Sequence, residues 1–207
     1  MKVLLICGSP HKEGCTHTAL GEVAKTLNEC GIETEEFWIG NKPSGGCIAC
    51  GSCKKTGKCF QEDRLNEILP RLESFDGYVF GSPVYYASPN GSMLSFLDRL
   101  FYAGSSKMAY KPAAAVVSAR RAGTSASLDA LNKYAQFNNM PIVSSRYWNM
   151  VHGSNAEQVT KDEEGMQIMR YLGRNMAWML KCIEAGKKEG ILSPKPEDTK
   201  IFTDFIR

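Results

Sequence analysis

Near the start of the chain, the wholly apolar run Val3-Leu4-Leu5-Ile6-Cys7 leads directly into Gly8-Ser9-Pro10. A short apolar run of this kind is typical of a strand that is covered on both faces in a parallel sheet. The same ending recurs where Tyr78-Val79-Phe80 leads into Gly81-Ser82-Pro83. The two stretches predict two buried parallel strands whose following loops begin alike.

Strand and helix patterns alternate along the rest of the chain. Further strands are predicted at 32–39, 113–117 and 141–145, and helices at 16–30, 63–74, 92–102, 124–137 and 161–185. Five strands alternating with helices predict an α/β fold with a doubly wound parallel sheet and helices on both faces. Such a sheet binds ligands beyond the carboxyl ends of its strands, which here are followed by the loops 8–17, 81–91 and 118–124.

The composition is that of an ordinary globular protein. The chain has 207 residues, of which 43% are hydrophobic and 23% charged, and its formal net charge is +3. This size predicts one domain over 1–190, including the cysteine loop 47–59, and a C-terminal tail at 191–207. The small positive charge does not favour nucleic acid as a partner. Glycine and proline interrupt the longest uncharged stretch, 77–97, so no membrane span is expected, and the lack of a signal-like apolar segment predicts a cytoplasmic protein.

The first loop has the features of a phosphate-binding turn. Residues 8–18 connect the first strand to the start of a helix, where backbone N–H groups and the helix dipole favour an anion. The hydroxyl groups of Ser9, Thr16 and Thr18 can add donors, and His11 can add positive charge. The alternative is a plain capped helix start, because neither a Walker loop nor a G-x-G-x-x-G motif is present.

The second and third loops suggest sites for a planar ring and for an anion. The second loop is aromatic and uncharged: Gly81-Ser82-Pro83-Val84-Tyr85-Tyr86-Ala87-Ser88-Pro89-Asn90-Gly91. It predicts a flat apolar slot whose backbone N–H groups can bond the edge of a ring, with a packed turn holding two core tyrosines as the alternative. The third loop carries Arg120 and Arg121, which are either a solvated face or a site for the phosphate of a pyridine nucleotide or another anion.

Four of the eight cysteines are clustered with the spacing C-x2-C-x2-C-x5-C, from Cys47 to Cys59. Without a secretory signal, such thiols indicate metal binding or redox chemistry rather than a disulfide framework. The two short gaps let three thiolates converge on a small cluster, whereas structural zinc loops usually hold two separated pairs. An ordered loop without a cluster is the alternative. The cysteines on predicted core faces, expected to be buried, are Cys7, Cys30 and Cys182.

The first two loops and the helix segment Met93-Leu94-Ser95-Phe96-Leu97-Asp98-Arg99 together resemble the flavodoxin-like NAD(P)H-dependent FMN reductase family. The cysteine spacing resembles the compact motif of the iron-sulfur flavoproteins, a branch of the same fold. The resemblance covers residues 1–185. It implies a flavodoxin-like, five-stranded sheet in the order 2-1-3-4-5, a bound FMN, NAD(P)H as co-substrate and a four-iron, four-sulfur (4Fe-4S) cluster.

The resemblance also implies a role for each loop. The first loop would hold the FMN phosphate and the second the isoalloxazine ring, with the third loop on the other side of the ring. His11 stands where the family commonly has arginine and Cys15 where it has asparagine, which weakens the side-chain part of the phosphate site. The implied FMN-binding residues are Ser9, His11, Gly14, Cys15, Thr16, Thr18, Pro83, Val84, Tyr85, Tyr86, Asn90, Ser118, Arg120 and Gly123, and the implied cluster ligands are Cys47, Cys50, Cys53 and Cys59.

The function implied by the resemblance is that of an FMN-dependent oxidoreductase. It would take hydride from NAD(P)H and pass electrons to an acceptor, either a small molecule or a redox protein, as a homodimer or homotetramer. The chemistry resides on the flavin, so no catalytic side chain is assigned. Three alternatives remain open: an iron-sulfur flavoprotein electron carrier with little NAD(P)H turnover, a cluster-free NADPH-dependent FMN reductase, and a regulatory or zinc-binding protein on the same scaffold.

Overall fold

A parallel sheet forms the centre of the molecule. The structure, a computed structural model, describes residues 1–194 and 201. Its strands are β1 (Lys2–Cys7), β2 (Glu33–Trp38), β3 (Gly77–Tyr85), β4 (Ser88–Pro89), β5 (Ala113–Ala119) and β6 (Met150–His152). Five of them run parallel in the order β2-β1-β3-β5-β6, and β4 pairs antiparallel with the end of β3. The predicted doubly wound parallel sheet is confirmed, and β4 is an addition to the predicted five strands.

The predicted fifth strand at 141–145 is wrong in its position. Ile142 makes only an isolated bridge to Ala113, and the ladder with β5 resumes at β6. The serines between these two pairings bond to helix α7 (Glu163–Lys188) instead of to the sheet. The Ser145 hydroxyl donates to the Ile168 carbonyl at 2.8 Å, and the Ser144 carbonyl accepts from the Asn175 side chain at 2.8 Å. The polar stretch therefore leaves the sheet edge, and the apolar Met150-Val151 pair supplies the strand.

The remaining helices are α1 (Cys15–Glu29), α2 (Ser52–Thr56), α3 (Leu65–Ile68), α4 (Gly91–Met108), α5 (Thr124–Phe137) and α6 (Ala156–Lys161), with a 3-10 turn at Leu69–Ser74. Pro70 lies in the first turn of that 3-10 segment, where its missing N–H does no harm. The predicted helix 161–185 is instead divided at Asp162. The Asp162 carboxylate accepts from the N–H groups of Gly165 at 3.0 Å and His152 at 2.6 Å, and so begins α7 there. Most of the predicted tail at 191–207 lies outside the described residues.

The sheet separates two hydrophobic cores. Alternate residues of β1 point to opposite faces, so that Leu4 and Ile6 pack with α4 and α5, whereas Val3 and Leu5 pack with α1 and α7. Both faces are thus covered, as the unbroken apolar character of β1 predicts. Among the helices of residues 1–194, none combines the length and apolarity that crossing a bilayer needs.

The three cysteines expected in the core differ in their burial. Cys7 is buried and burial raises the pKa of its thiol to about 12. Cys30 is half-buried. Cys182 is exposed, so its predicted burial is wrong, because this position falls on the solvent face of α7.

Candidate active site

An open cavity lies at the carboxyl ends of the strands. It has a volume of about 730 Å³ and is lined by residues that follow β1 and β6, by the last residues of β3 and β5, and by Arg120 directly after β5. The structure therefore brings residues of all three predicted loops together at one edge of the sheet. Those predicted FMN-binding residues that line the cavity are Ser9, His11, Gly14, Cys15, Thr16, Pro83, Val84, Tyr85, Ser118 and Arg120.

The loop after β1 leaves the start of α1 open to this cavity. Gly14 precedes the first turn in an extended conformation, with φ −90° and ψ −168°, and makes no side-chain cap. The first turn of α1 holds no acidic residue, so no carboxylate of that turn neutralises its N–H groups and the positive end of the helix dipole. Ser9 fixes the loop, since its Oγ accepts from the His11 N–H at 3.1 Å and its carbonyl accepts from Trp38 Nε1 at 2.7 Å. This preformed turn suits an anion such as phosphate.

The two predicted threonines of this loop have different partners. The Thr16 hydroxyl is buried and pairs with the Ser118 hydroxyl, which ties the loop to the end of β5. The Thr18 hydroxyl donates to the Gly14 carbonyl at 3.2 Å, within the first turn of its own helix. Thr18 is not among the residues that line the cavity.

The loop after β3 is a tight hairpin. Tyr86 and Ala87 join β3 to β4 with φ values of 50° and 59°, as a two-residue turn of this twist requires. Residues other than glycine and asparagine rarely adopt such angles, and each costs about 1–2 kcal/mol. Tyr85 lines the cavity and is 47% exposed, whereas Tyr86 is fully exposed and is not among the residues that line the cavity. The alternative of two core tyrosines is therefore wrong, and local strain of this kind is common at ligand-binding loops.

Two other predicted residues support the hairpin instead of lining the cavity. The buried Asn90 donates from Nδ2 to the Gly8 carbonyl at 2.9 Å and accepts from the Met93 N–H at 2.9 Å. Gly123 has φ 91°, and a Cβ at this position would lie 2.6 Å from the Cα of Ala87. Only glycine lets the third loop pack this closely on the hairpin. Asn90 and Gly123 thus fix the positions of the loops after β1, β3 and β5 relative to one another.

A fourth segment, 153–157, completes the cavity and is absent from the sequence prediction. It is joined to the first loop by Cys15, whose thiol donates to the Gly153 carbonyl at 3.6 Å. Burial raises the pKa of Cys15 and keeps this thiol protonated. The sequence prediction missed this segment because it placed the fifth strand at 141–145 and not at β6. The signal that could have found it is Gly153-Ser154 directly after β6, because the same pair of residues follows β1.

The charged side chains at the cavity are of both signs. Arg120 supplies an exposed guanidinium, and Glu13 and Glu157 supply carboxylates. Glu157 is paired with Lys161 at 2.6 Å. The positive potential available to an anion therefore comes from Arg120 and from the open start of α1.

The cysteine loop lies between β2 and α3, and side-chain hydrogen bonds join its two ends. Gln61 joins its ends, since Oε1 accepts from the Gly45 N–H and Nε2 donates to the Gly46 carbonyl, both at 3.1 Å. Asn66 fixes the last cysteine. Its Oδ1 accepts from the Cys59 N–H at 2.8 Å, and its Nδ2 donates to the Cys59 carbonyl at 2.9 Å. The backbone of the loop is therefore held in place by side chains that carry no thiol.

The four clustered cysteines surround one small cavity. It has a volume of about 90 Å³ and is lined by Cys47, Cys50, Cys53 and Cys59 together with neighbours that include Phe60. Within the described residues, no three Cys, His, Asp or Glu side chains converge closely enough to hold a single metal ion. Four cysteines that line one cavity supply thiolates, which are the ligands that iron-sulfur clusters use.

Comparisons with known proteins agree with this geometry. The family model described as NADPH-dependent FMN reductase matches residues 1–155. An iron-sulfur flavoprotein of Methanocaldococcus jannaschii is 30% identical over 192 residues, which cover 89% of this chain and all of that protein. Among solved structures, RosB with a bound 8-demethyl-8-formylriboflavin-5'-phosphate intermediate has a TM-score of 0.70 at 12% identity, covering 100% of this chain and 94% of that one. A flavodoxin from the domain Archaea has a TM-score of 0.59 at 13% identity, covering 87% and 99%. With the fold, the family model and these relatives in agreement, the chain belongs to the flavodoxin-like FMN reductase family and to its iron-sulfur flavoprotein branch.

Proposed function

We propose that this protein is an FMN-dependent oxidoreductase that takes hydride from NAD(P)H and passes electrons to an acceptor by way of a 4Fe-4S cluster. The observation that carries the proposal is the cavity of about 730 Å³ where the open start of α1 meets the hairpin after β3. An anion site beside an apolar slot matches the two ends of FMN, a phosphate group and a planar ring. Membership of the FMN reductase family supports the same cofactor.

In this proposal the phosphate group binds at the start of α1. The N–H groups of Cys15 and Thr16 and the helix dipole provide the positive potential. The Ser9 hydroxyl accepts a hydrogen bond from the loop and keeps its own hydrogen free to donate to a phosphate oxygen. His11 lines the same cavity and adds an imidazole donor.

The hairpin and the third loop would hold the ring and the pyridine nucleotide. Pro83, Val84 and Tyr85 form an apolar wall, and Arg120 places a guanidinium at the cavity for the nucleotide's phosphate groups. When bound, FMN supplies both the hydride chemistry and the single-electron chemistry. The side chains therefore need only bind, stack and orient the two nucleotides and exclude water between them.

A matched pair of histidine variants tests the FMN site. His11 lines the cavity, whereas His17, six residues further along, pairs with Glu36 at 2.8 Å. His11→Ala should weaken FMN binding about 2- to 10-fold, the effect of one hydrogen bond of about 0.5–1.5 kcal/mol, and His17→Ala should not. Fluorescence titration of the flavin-free protein with FMN measures both affinities. Equal affinities for the two variants would place the phosphate elsewhere.

The cluster would be held by Cys47, Cys50, Cys53 and Cys59. The cavity that these thiols line supports this part of the proposal. Protein purified without oxygen should carry FMN and about four irons per chain. Cys50→Ser should lose most of this iron, whereas Cys182→Ser, which replaces an exposed cysteine of α7, should keep it. An iron-free wild-type protein would reject the cluster and leave the cluster-free FMN reductase.

Steady-state turnover separates the enzyme from an electron carrier. An electron carrier is the second candidate, because the relatives are named iron-sulfur flavoproteins. We expect NADPH or NADH to be oxidised continuously when an artificial acceptor is supplied. Negligible oxidation by protein that contains both FMN and iron would support the carrier instead.

A further inference from the structure

Arg99 is a buried charged residue on the wall of the cysteine cavity. It is only 2% exposed, and it extends from α4 to line the same cavity as the four clustered cysteines. Burying a guanidinium carries a desolvation cost of several kcal/mol unless well-placed partners offset it. The partners of Arg99 therefore show what this position requires.

Three hydrogen bonds fix the Arg99 guanidinium, and a fourth connects it to the thiol of Cys59. Its Nη2 donates to the Asp63 carboxylate at 2.7 Å and to the Ser44 hydroxyl, and its Nε donates to the Ser95 carbonyl at 3.3 Å. Its Nη1 donates to Cys59 Sγ at 3.8 Å. Because the first three contacts hold the guanidinium plane, the charge cannot turn away from Cys59.

We propose that Arg99 raises the reduction potential of the cluster by holding a positive charge and an N–H donor against Cys59, an inference that rests on the cluster proposed above. Reduction adds one electron, and so one negative charge, to the cluster and its thiolates, and no proton is needed. The electron comes from reduced FMN in the working protein and from dithionite in a titration. A fixed cation and an N–H···S bond both stabilise the more negative state. Arg99 acts through Cys59 and is thus a positioning residue.

Asp63 opposes this effect. Its carboxylate lies 2.7 Å from Nη2 and offsets part of the guanidinium charge. Removing the charge of Asp63 leaves Arg99 as an uncompensated cation beside Cys59, whereas removing Arg99 takes that cation away. The two substitutions must therefore shift the potential in opposite directions, which a general loss of structure would not do.

The test compares midpoint potentials of anaerobically purified variants, titrated with dithionite and followed by electron paramagnetic resonance, with iron content measured on each sample. Arg99→Met should shift the potential to a more negative value, and Asp63→Asn to a more positive one. Arg99→Lys keeps the cation and should lie between the wild type and Arg99→Met. Arg71→Met is the control, because Arg71 pairs with Glu35 at the surface and does not line the cavity.

The outcomes separate this inference from the function on which it rests. An iron-loaded Arg99→Met protein with the wild-type potential would overturn the role of Arg99 and leave the cluster in place. A wild-type protein without iron would overturn both. If Arg99→Met does not fold, the potentials of Arg99→Lys and Asp63→Asn test the inference. A more positive midpoint potential in Asp63→Asn supports it, and an unchanged potential rejects it.

Discussion

The side-chain oxygens of Thr16 and Ser118 lie 2.8 Å apart beneath the candidate FMN cavity, and both residues are buried. Thr16 belongs to the first turn of α1, and Ser118 lies near the end of β5, which is separated from β1 by β3. Each hydroxyl satisfies the other in a place that water does not reach. The pair therefore joins the loop proposed to hold the phosphate to the loop that carries Arg120.

Thr16→Val should lower the free energy of unfolding by about 1–3 kcal/mol, because it leaves the Ser118 hydroxyl buried without its partner. Ser118→Ala should act similarly. The double variant should be less destabilised than the sum of the two, since neither hydroxyl then remains unsatisfied. Urea unfolding at equilibrium measures all three. Strictly additive effects would show that the hydroxyls do not depend on each other.

Asn90→Ala should both destabilise the protein and weaken FMN binding. It removes two buried hydrogen bonds that join the hairpin to the loop after β1 and to α4, at a cost of about 2–4 kcal/mol. Asn138→Ala is the control, because Asn138 donates to the Ser105 carbonyl at 3.0 Å and does not line the cavity. FMN titration and urea unfolding of both variants check this. Equal FMN affinities of Asn90→Ala and Asn138→Ala would show that Asn90 does not position the FMN site.

Two glycine substitutions should have opposite effects on stability. In Gly153→Ala the new Cβ would fall 2.8 Å from the Val159 nitrogen, so α6 must shift, at a cost of about 1–3 kcal/mol. In Gly21→Ala the new Cβ meets nothing within 4 Å, and the helix should gain about 0.5–1 kcal/mol. Thermal unfolding distinguishes the two. Only Gly153→Ala should also weaken FMN binding, and a normal FMN affinity would show that segment 153–157 is dispensable.

Asn66→Ala should loosen the cluster although it removes no thiol. Asn66 holds the backbone of Cys59 through two hydrogen bonds, at 2.8 and 2.9 Å. Loss of such a supporting contact typically lowers metal affinity by about 10- to 100-fold. The rate at which a chelator removes iron measures the effect. Asn175→Ala, which removes one bond from α7 to the Ser144 carbonyl, should release iron at the wild-type rate.

Stability in acid should depend on Glu35. Burial alone would raise the pKa of this carboxyl, but hydrogen bonds from Lys2 and Arg71 outweigh it and lower the pKa below its ordinary value of 4.5. Its contribution to stability is therefore present above pH 4.5 and is lost as the pH falls through the lowered pKa. In Glu35→Gln the free energy of unfolding should fall less steeply with decreasing pH. An identical slope for variant and wild type would contradict this.

The sequence predicts the sheet and three of the four cavity segments because these depend on local patterns. The run Val3–Cys7 and the Gly-Ser-Pro endings carry that information within a few residues. Strand β6 could not be placed in the same way, because the serines at 144 and 145 leave the sheet to bond with α7. The supporting roles of Asn90 and Arg99 depend on partners distant in the chain. Asn90 bonds to Gly8, 82 residues away, and Arg99 to Cys59, 40 residues away.

Insertions should be tolerated differently in helix α4, which connects the candidate FMN site to Arg99, and in the cysteine loop. It starts beside Asn90 and carries Arg99 nine residues later, a rise of about 14 Å along the axis. One residue inserted between them would rotate Arg99 by about 100° and aim it away from the thiols. The ends of the cysteine loop are held by the side-chain hydrogen bonds of Gln61 and Asn66. The middle of the loop can therefore lengthen or shorten without breaking these bonds. Across related chains, we expect the interval from Asn90 to Arg99 to be constant and the spacing before the last cysteine to vary.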